Sequence, residues 1–252
     1  MAERDSDAVL ARRIADAAGT LLMAIRESGL FEGRSLGAAG DRVANAFIME
    51  ALKANRPADA VLSEEEAADP VRLARSRVWI VDPLDGTREY AEGRSDWAVH
   101  VGLAIDGMAA VGAVALPGLP ETVCTDDVPA PAPAPETPLR MVVSRTRPAA
   151  EAVSVAKSLG AVLVPMGSAG AKAMAVVRNE ADIYLHSGGQ YEWDSCAPVA
   201  VARAAGFHTS RLDGTPLVYN AADVFLPDLL ICRPQHADRV LQLVAEFGTA
   251  EA

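Results

Sequence analysis

Apolar and polar positions divide the chain into a helical opening, a strand-rich middle and a second half in which strands and helices alternate. Leu10, Ile14, Ala17, Leu21 and Ile25 recur at helical spacing and predict a helix over 8–27. Gly33, Gly37 and Gly40 read as a glycine-rich connection. Asp41 stands where an N-cap belongs, ahead of Val43, Phe47, Ile48 and Leu52, and Asn55 and Pro57 end that helix. Apolar runs at 61–63 and 78–81 predict strands, the first entering Glu64-Glu65-Glu66 and the second stopped by Pro83. Trp97, Val99, Val101, Leu103 and Ile105 alternate with smaller residues, a pattern that predicts one buried face. Asp106-Gly107 then turns the chain back into a strand over 108–116.

Residues 128–138, rich in proline and alanine, read as an extended surface connection between an N-terminal half, 1–127, and a C-terminal half, 139–252. Beyond it the pattern predicts strands at 141–143, 162–164, 182–185 and 229–231. Helices are predicted at 149–159, 169–177, 195–205 (closed by Gly206) and from 237 onward.

Composition narrows the function classes. A net charge of −11 opposes coating a nucleic-acid polymer, which requires Lys and Arg to neutralise phosphates. A small anion remains compatible with an acidic protein if a metal supplies local positive charge. Cys124, Cys196 and Cys232 have no C-x-x-C spacing, so they read as buried thiols of a reducing cytoplasm. Glu3, Arg4, Asp5 and Asp7 do not form a signal-peptide pattern, and no apolar run approaches the ~20 residues of a membrane span.

The chemistry concentrates in Trp79-Ile80-Val81-Asp82-Pro83-Leu84-Asp85-Gly86-Thr87. An apolar strand delivers Asp82, Gly86 permits a tight turn, and Asp85 can converge on the same point with the Leu84 carbonyl between them. Carboxylate and carbonyl oxygens suit Mg²⁺. The alternative reading of the same residues is an acidic turn. Glu64 follows a strand and could reach the same sheet edge, while Asp194 follows Trp193 at a helix start. Spacing alone leaves open whether these acids meet.

The Trp79–Thr87 stretch, the upstream Glu64-Glu65 pair and the downstream Trp193-Asp194 pair resemble, in that order, the lithium-sensitive phosphomonoesterases of the inositol monophosphatase superfamily. The resemblance implies an α+β fold, a layered αβαβα sandwich with the site between its halves. It implies two or three Mg²⁺ ions held by Glu64, Asp82, the Leu84 carbonyl, Asp85 and Asp194. Asp41, Glu64 and Thr87 are then the catalytic set, Thr87 attending the attacking water and Asp41 assisting a further metal or that water, and the Gly86 and Thr87 amides meet the phosphate.

Substrate residues are implied in the second half. Gly167 and Ser168 match the family's substrate loop, whose amides would face a phosphate or hydroxyl. His186 stands where inositol phosphatases carry an inositol-binding glutamate. Val143 to Arg147, and Asp194 to Pro198 preceded by Gly188-Gly189-Gln190, resemble CysQ-type phosphatases, which remove the 3′-phosphate of 3′-phosphoadenosine 5′-phosphate. Lys172, Arg145 or Arg211 could answer the second phosphate. The expectation is therefore a cytoplasmic 3′(2′),5′-bisphosphate nucleotidase, monomer or homodimer, linked to sulfate assimilation. Inositol monophosphatase or fructose-1,6-bisphosphatase activity is the alternative within the same chemistry, and a non-catalytic ligand sensor is the alternative of another class.

Overall fold

The computed structural model describes residues 5–128, 131 and 138–251. Most of the expected connection at 128–138 lies outside them. Helices α1 (Asp7–Glu27) and α2 (Gly33–Asn55) open the chain. Strands β1 (Ala60–Ser63), β2 (Arg77–Asp85), β3 (Ala98–Ile105), β4 (Met108–Leu116) and β5 (Glu121–Cys124) form the first sheet in sequence order. β1 runs parallel to β2, and the other pairings are antiparallel. A 3₁₀ turn (Pro70–Ala74) precedes β2, and the short helix α3 (Thr87–Ala91) follows it.

The second sheet contains β6 (Arg140–Ser144), β7 (Val162–Met166), β8 (Ile183–Tyr191), β9 (His208–Ser210) and β10 (Phe225–Cys232), in the order β7-β6-β8-β10-β9. Here β7, β6 and β8 run parallel, so their carboxyl ends gather at one edge. The remaining helices are α4 (Ala150–Leu159), α5 (Ala169–Val177), α6 (Glu192–Ala204) and α7 (Pro234–Glu251).

Period-two burial stacks these elements in five layers. Trp79 and Val81 of β2 face α1 and α2, packing with Leu22, Ile48 and Leu52. Their neighbours Val78 and Ile80 face inward, into one cluster with Met174 of α5, Val199 of α6 and Ile231 of β10. On the far side of the second sheet, Met141 and Ile183 pack against Val155 of α4 and Val240 of α7. The order is thus α, β, α, β, α, with α5 and α6 between the sheets.

Of three departures from the sequence pattern, the first two share one cause, close backbone packing. First, α2 starts at Gly33, so the glycine stretch is helix and Asp41 lies in its middle, where no N-cap can be. A Cβ on Gly37 would sit 2.6 Å from Thr87 Cγ2, and one on Gly40 would sit 3.0 Å from Leu22 and 3.1 Å from Leu84 and Tyr90. The glycines admit neighbours; they do not break the helix. Second, β3 is buried on both faces, because Ala98, His100, Gly102 and Ala104 lie under the central layer. Small residues there let α6 approach, which an alternation of large apolar residues does not reveal.

Third, β2 continues through Pro83 to Asp85, with a one-residue slip between the pairs Asp82–His100 and Asp85–Ala98. Proline costs one ladder bond, and the bulge absorbs it. Strands β5 and β9 carry too few residues for a periodicity. β8 runs on to Tyr191 through Gly188 and Gly189, both at positive φ, so the glycines bend the strand without ending it. The three cysteines are free and buried. Among the described residues no helix is long and apolar enough to cross a membrane.

Candidate active site

Residues three apart on a regular strand point to opposite faces. The slip in β2 removes that conflict for Asp82 and Asp85. Together with Asp194 they place carboxylate oxygens within 4.8 Å of one another. Asp194 arrives on the first turn of α6, where its Oδ2 accepts the Tyr191 N–H at 2.6 Å. It is therefore the third residue of the helix in a capping box, not the N-cap. Glu64 follows β1, whose register sets Ser63 beside Val81 and carries Glu64 alongside Asp82, and its N–H donates to the Val81 carbonyl. Asp82 Oδ1 accepts the Leu84 N–H at 3.0 Å, which fixes the turn presenting the Leu84 carbonyl.

Asp41 projects from α2 toward Thr87 at the start of α3. The Thr87 hydroxyl lies 3.2 Å from the Leu84 carbonyl oxygen and 3.4 Å from Asp41 Oδ1. Gly86, at φ 89°, supplies the left-handed turn between β2 and α3. Asp41, Glu64, Asp82, Leu84, Asp85, Gly86, Thr87 and Asp194 thus gather around the carboxyl end of β2.

The carboxylates repel one another. Burial, and then Glu64, Asp85 and Asp194, drive Asp82 well above the ordinary range. Burial and Asp85 push Asp194 up to about 7, against the Tyr191 amide. Burial and Glu65 push Asp41 up to about 7, against Thr87 and Arg42. Glu64 is raised by burial, Asp85, Glu65 and Asp41, with its Asp82 contact opposing. Asp85 is the exception. Burial would raise it, but His100, the Gly170 amide and Lys172 hold it below its ordinary value. An acid set of this kind is stabilised by bound cations, and its oxygen-only donors fit a hard divalent ion.

His100 is a site residue that the sequence pattern does not reveal. The ring is fully buried on β3; Nδ1–H donates to the Trp193 carbonyl at 2.9 Å. Nε2 lies 3.2 Å from Asp85 Oδ2, an ion-pair contact without hydrogen-bond alignment. Its pKa is raised, because Asp85 and Trp193 outweigh burial. The only prior signal would have been its register opposite Asp82, which requires the sheet.

The predicted substrate loop is engaged differently from the expectation. Its amides are occupied by first-half oxygens: Gly167 N–H donates to Asp96 Oδ2 at 2.7 Å and Ser168 N–H to the Asp96 carbonyl at 3.1 Å. Ala169 and Gly170 N–H donate to Asp85 at 3.2 and 2.6 Å. Lys172, buried, donates to the Gly167 and Ser168 carbonyls at 2.5 and 2.7 Å and lies over the Tyr184 ring. Arg145 spans to Glu89 and Glu92 at 2.8 and 2.7 Å, and Arg211 pairs with Asp228 through two hydrogen bonds. Lys172, Arg145 and Arg211 are thus committed within the protein. His186 donates Nε2–H to the Gly189 carbonyl at 3.0 Å. Gln190, on the same strand, is buried with neither amide atom hydrogen-bonded.

A profile of the inositol monophosphatase family matches residues 8–248, and the chain belongs to that family. It is 50% identical to the 3′-phosphoadenosine 5′-phosphate phosphatase of Mycobacterium leprae, over 96% of this chain and 94% of that protein. It is 31% identical to the 3′(2′),5′-bisphosphate nucleotidase CysQ of Escherichia coli, over 75% of this chain and 81% of that one. The crystal structure of CysQ from Bacteroides thetaiotaomicron, at 25% identity, matches with a TM-score of 0.78, covering 90% of this chain and 97% of that one.

Proposed function

We propose that the chain is a Mg²⁺-dependent 3′(2′),5′-bisphosphate nucleotidase that hydrolyses 3′-phosphoadenosine 5′-phosphate to AMP and phosphate. The observation that carries this reading is the convergence of Asp82, Asp85 and Asp194 within 4.8 Å, in a chain half identical to the mycobacterial phosphatase across nearly its whole length.

Glu64, Asp82, Asp85, Asp194 and the Leu84 carbonyl would hold about two or three Mg²⁺ ions. When bound, such ions supply Lewis acidity, lower the pKa of water and neutralise charge on the phosphoryl oxygens. Asp85 accepts the Ala169 and Gly170 N–H groups, and His100 Nε2 lies 3.2 Å from its Oδ2. It therefore enters the site already oriented.

The chain's own part in the reaction centres on Thr87 and Asp41. The Thr87 hydroxyl and the Asp41 carboxylate orient the attacking water. Its oxygen bonds to phosphorus as the P–O3′ bond breaks, its proton passes to Asp41, and the leaving oxygen takes a proton from solvent. The Gly86 and Thr87 amides hold the transferred phosphate.

His186 favours a nucleotide over a polyol. With Nε2–H committed to Gly189 and the pKa lowered, chiefly by burial, the ring is neutral and offers Nδ1 as an acceptor to an amino group of a base. Phosphate release from 3′-phosphoadenosine 5′-phosphate tests the assignment. It should require Mg²⁺, stop with chelator and fail in Asp82→Asn; release that survives chelation would refute it.

A further inference from the structure

A bisphosphate presents two anions, and only one lies over the acids. The cations expected to receive the other are already engaged: Lys172 with loop carbonyls, Arg145 with Glu89 and Glu92, and Arg211 with Asp228. Arg147 is placed differently. It is exposed, and among the described residues its guanidinium has no acidic partner, while its backbone is pinned.

The pinning fixes where the side chain starts. At the common carboxyl edge of β7, β6 and β8, Ser144 pairs with Met166, and Val142 pairs with Tyr184, two residues short of His186. The loop leaving β6 is held there by Arg145 N–H on the Met166 carbonyl at 3.0 Å. Arg147 N–H on Ser144 Oγ at 3.3 Å closes it. Arg147 therefore rises from a fixed turn between the Met166–Ser168 segment and His186. In open sheets with parallel strands, ligands sit at that edge.

We propose that Arg147 binds the phosphate that is not hydrolysed, and so sets the preference for a bisphosphate over a monophosphate; this rests on the nucleotidase reading above. A guanidinium fork matches two phosphate oxygens at once, and an unpaired one requires no internal ion pair to break first. The binding energy of that remote phosphate holds the 3′-phosphate over the acids.

The test compares 3′-phosphoadenosine 5′-phosphate with adenosine 3′-monophosphate, which lacks the second phosphate, in wild type, Arg147→Ala and Arg147→Lys. Arg147→Ala should lower kcat/KM for the bisphosphate roughly 10–100-fold, mainly through KM, the scale of one charge-assisted contact. The monophosphate should lose much less, and Arg147→Lys should retain part of the preference. Binding of 5′-AMP without turnover should weaken in parallel, while adenosine binding should not. Equal losses on both substrates, or no loss on either, would overturn the proposal. A wild-type enzyme inactive on the bisphosphate would refute the nucleotidase reading itself and this proposal with it, before any variant is compared.

Discussion

Asp85, at the end of β2, accepts the Gly170 N–H at 2.6 Å and thereby joins the acidic turn of the first sheet to the opening of α5 before the second. The spacing is tight, since a Cβ on Gly170 would lie 2.1 Å from His100 Nε2. One carboxylate thus serves the candidate cation site, a helix N-terminus and a buried histidine.

That sharing separates Asp85 from Asp82. Both Asp→Asn variants should lower turnover at least ~100-fold, because an amide lacks the charge that holds a hard cation. Metal-free Asp85→Asn should also melt lower than wild type, since its amide group confronts helix N–H donors and His100. Metal-free Asp82→Asn should melt higher, because it removes a carboxyl whose ionisation is opposed by burial and by its acidic neighbours. Melting curves with chelator, beside turnover with Mg²⁺, check the contrast. Equal melting shifts would remove the structural role given to Asp85.

Gly37 makes a second, sharper case. Its missing Cβ leaves room for Thr87 Cγ2, 2.6 Å away. Gly37→Ala should displace Thr87 and lower kcat at least ~10-fold with little change in KM, the signature of a transition-state contact. Thr87→Ser removes the colliding methyl and keeps the hydroxyl, so the double variant should recover much of the loss. A double variant no better than Gly37→Ala would contradict the packing argument. Thr87→Ala should likewise act on kcat before KM.

Metal and proton compete for the same oxygens. Asp194 rises from 3.8 to about 7 on folding, so the folded, metal-free protein binds more protons than the unfolded chain between those values. Its stability therefore falls as pH rises through that window, and the loss is nearly complete above about 7. Mg²⁺ takes the deprotonated form, so the rise in Tm it causes should be larger at pH 8 than at pH 5.5. An equal or larger rise at pH 5.5 would contradict the ionisation assigned to the site.

Much of the site was legible because it lies on local signals. The apolar run before Asp82, the Gly86 turn and the Trp193-Asp194 pair each announce themselves within a few residues. Asp41 was found as an acid but misplaced, because helical glycines that admit Thr87, Leu84 and Tyr90 look like a loop until their neighbours are known. His100 was missed because its role depends on register across β3 and on contact with α5, and Asp96 because its partners Gly167 and Ser168 lie about 70 residues away. The pairing of Arg145 was not legible, because its partners Glu89 and Glu92 are supplied by α3 and the residue just beyond it, which no sequence window brings together.

Substrate preference tests the central claim most directly. The measurement is kcat/KM for 3′-phosphoadenosine 5′-phosphate and for inositol 1-phosphate, with the same enzyme at the same Mg²⁺ concentration. The role proposed for His186, a neutral acceptor for the base, predicts that the nucleotide is preferred by at least ~100-fold, about 2.7 kcal/mol of transition-state binding. A preference for inositol 1-phosphate would contradict the nucleotidase assignment.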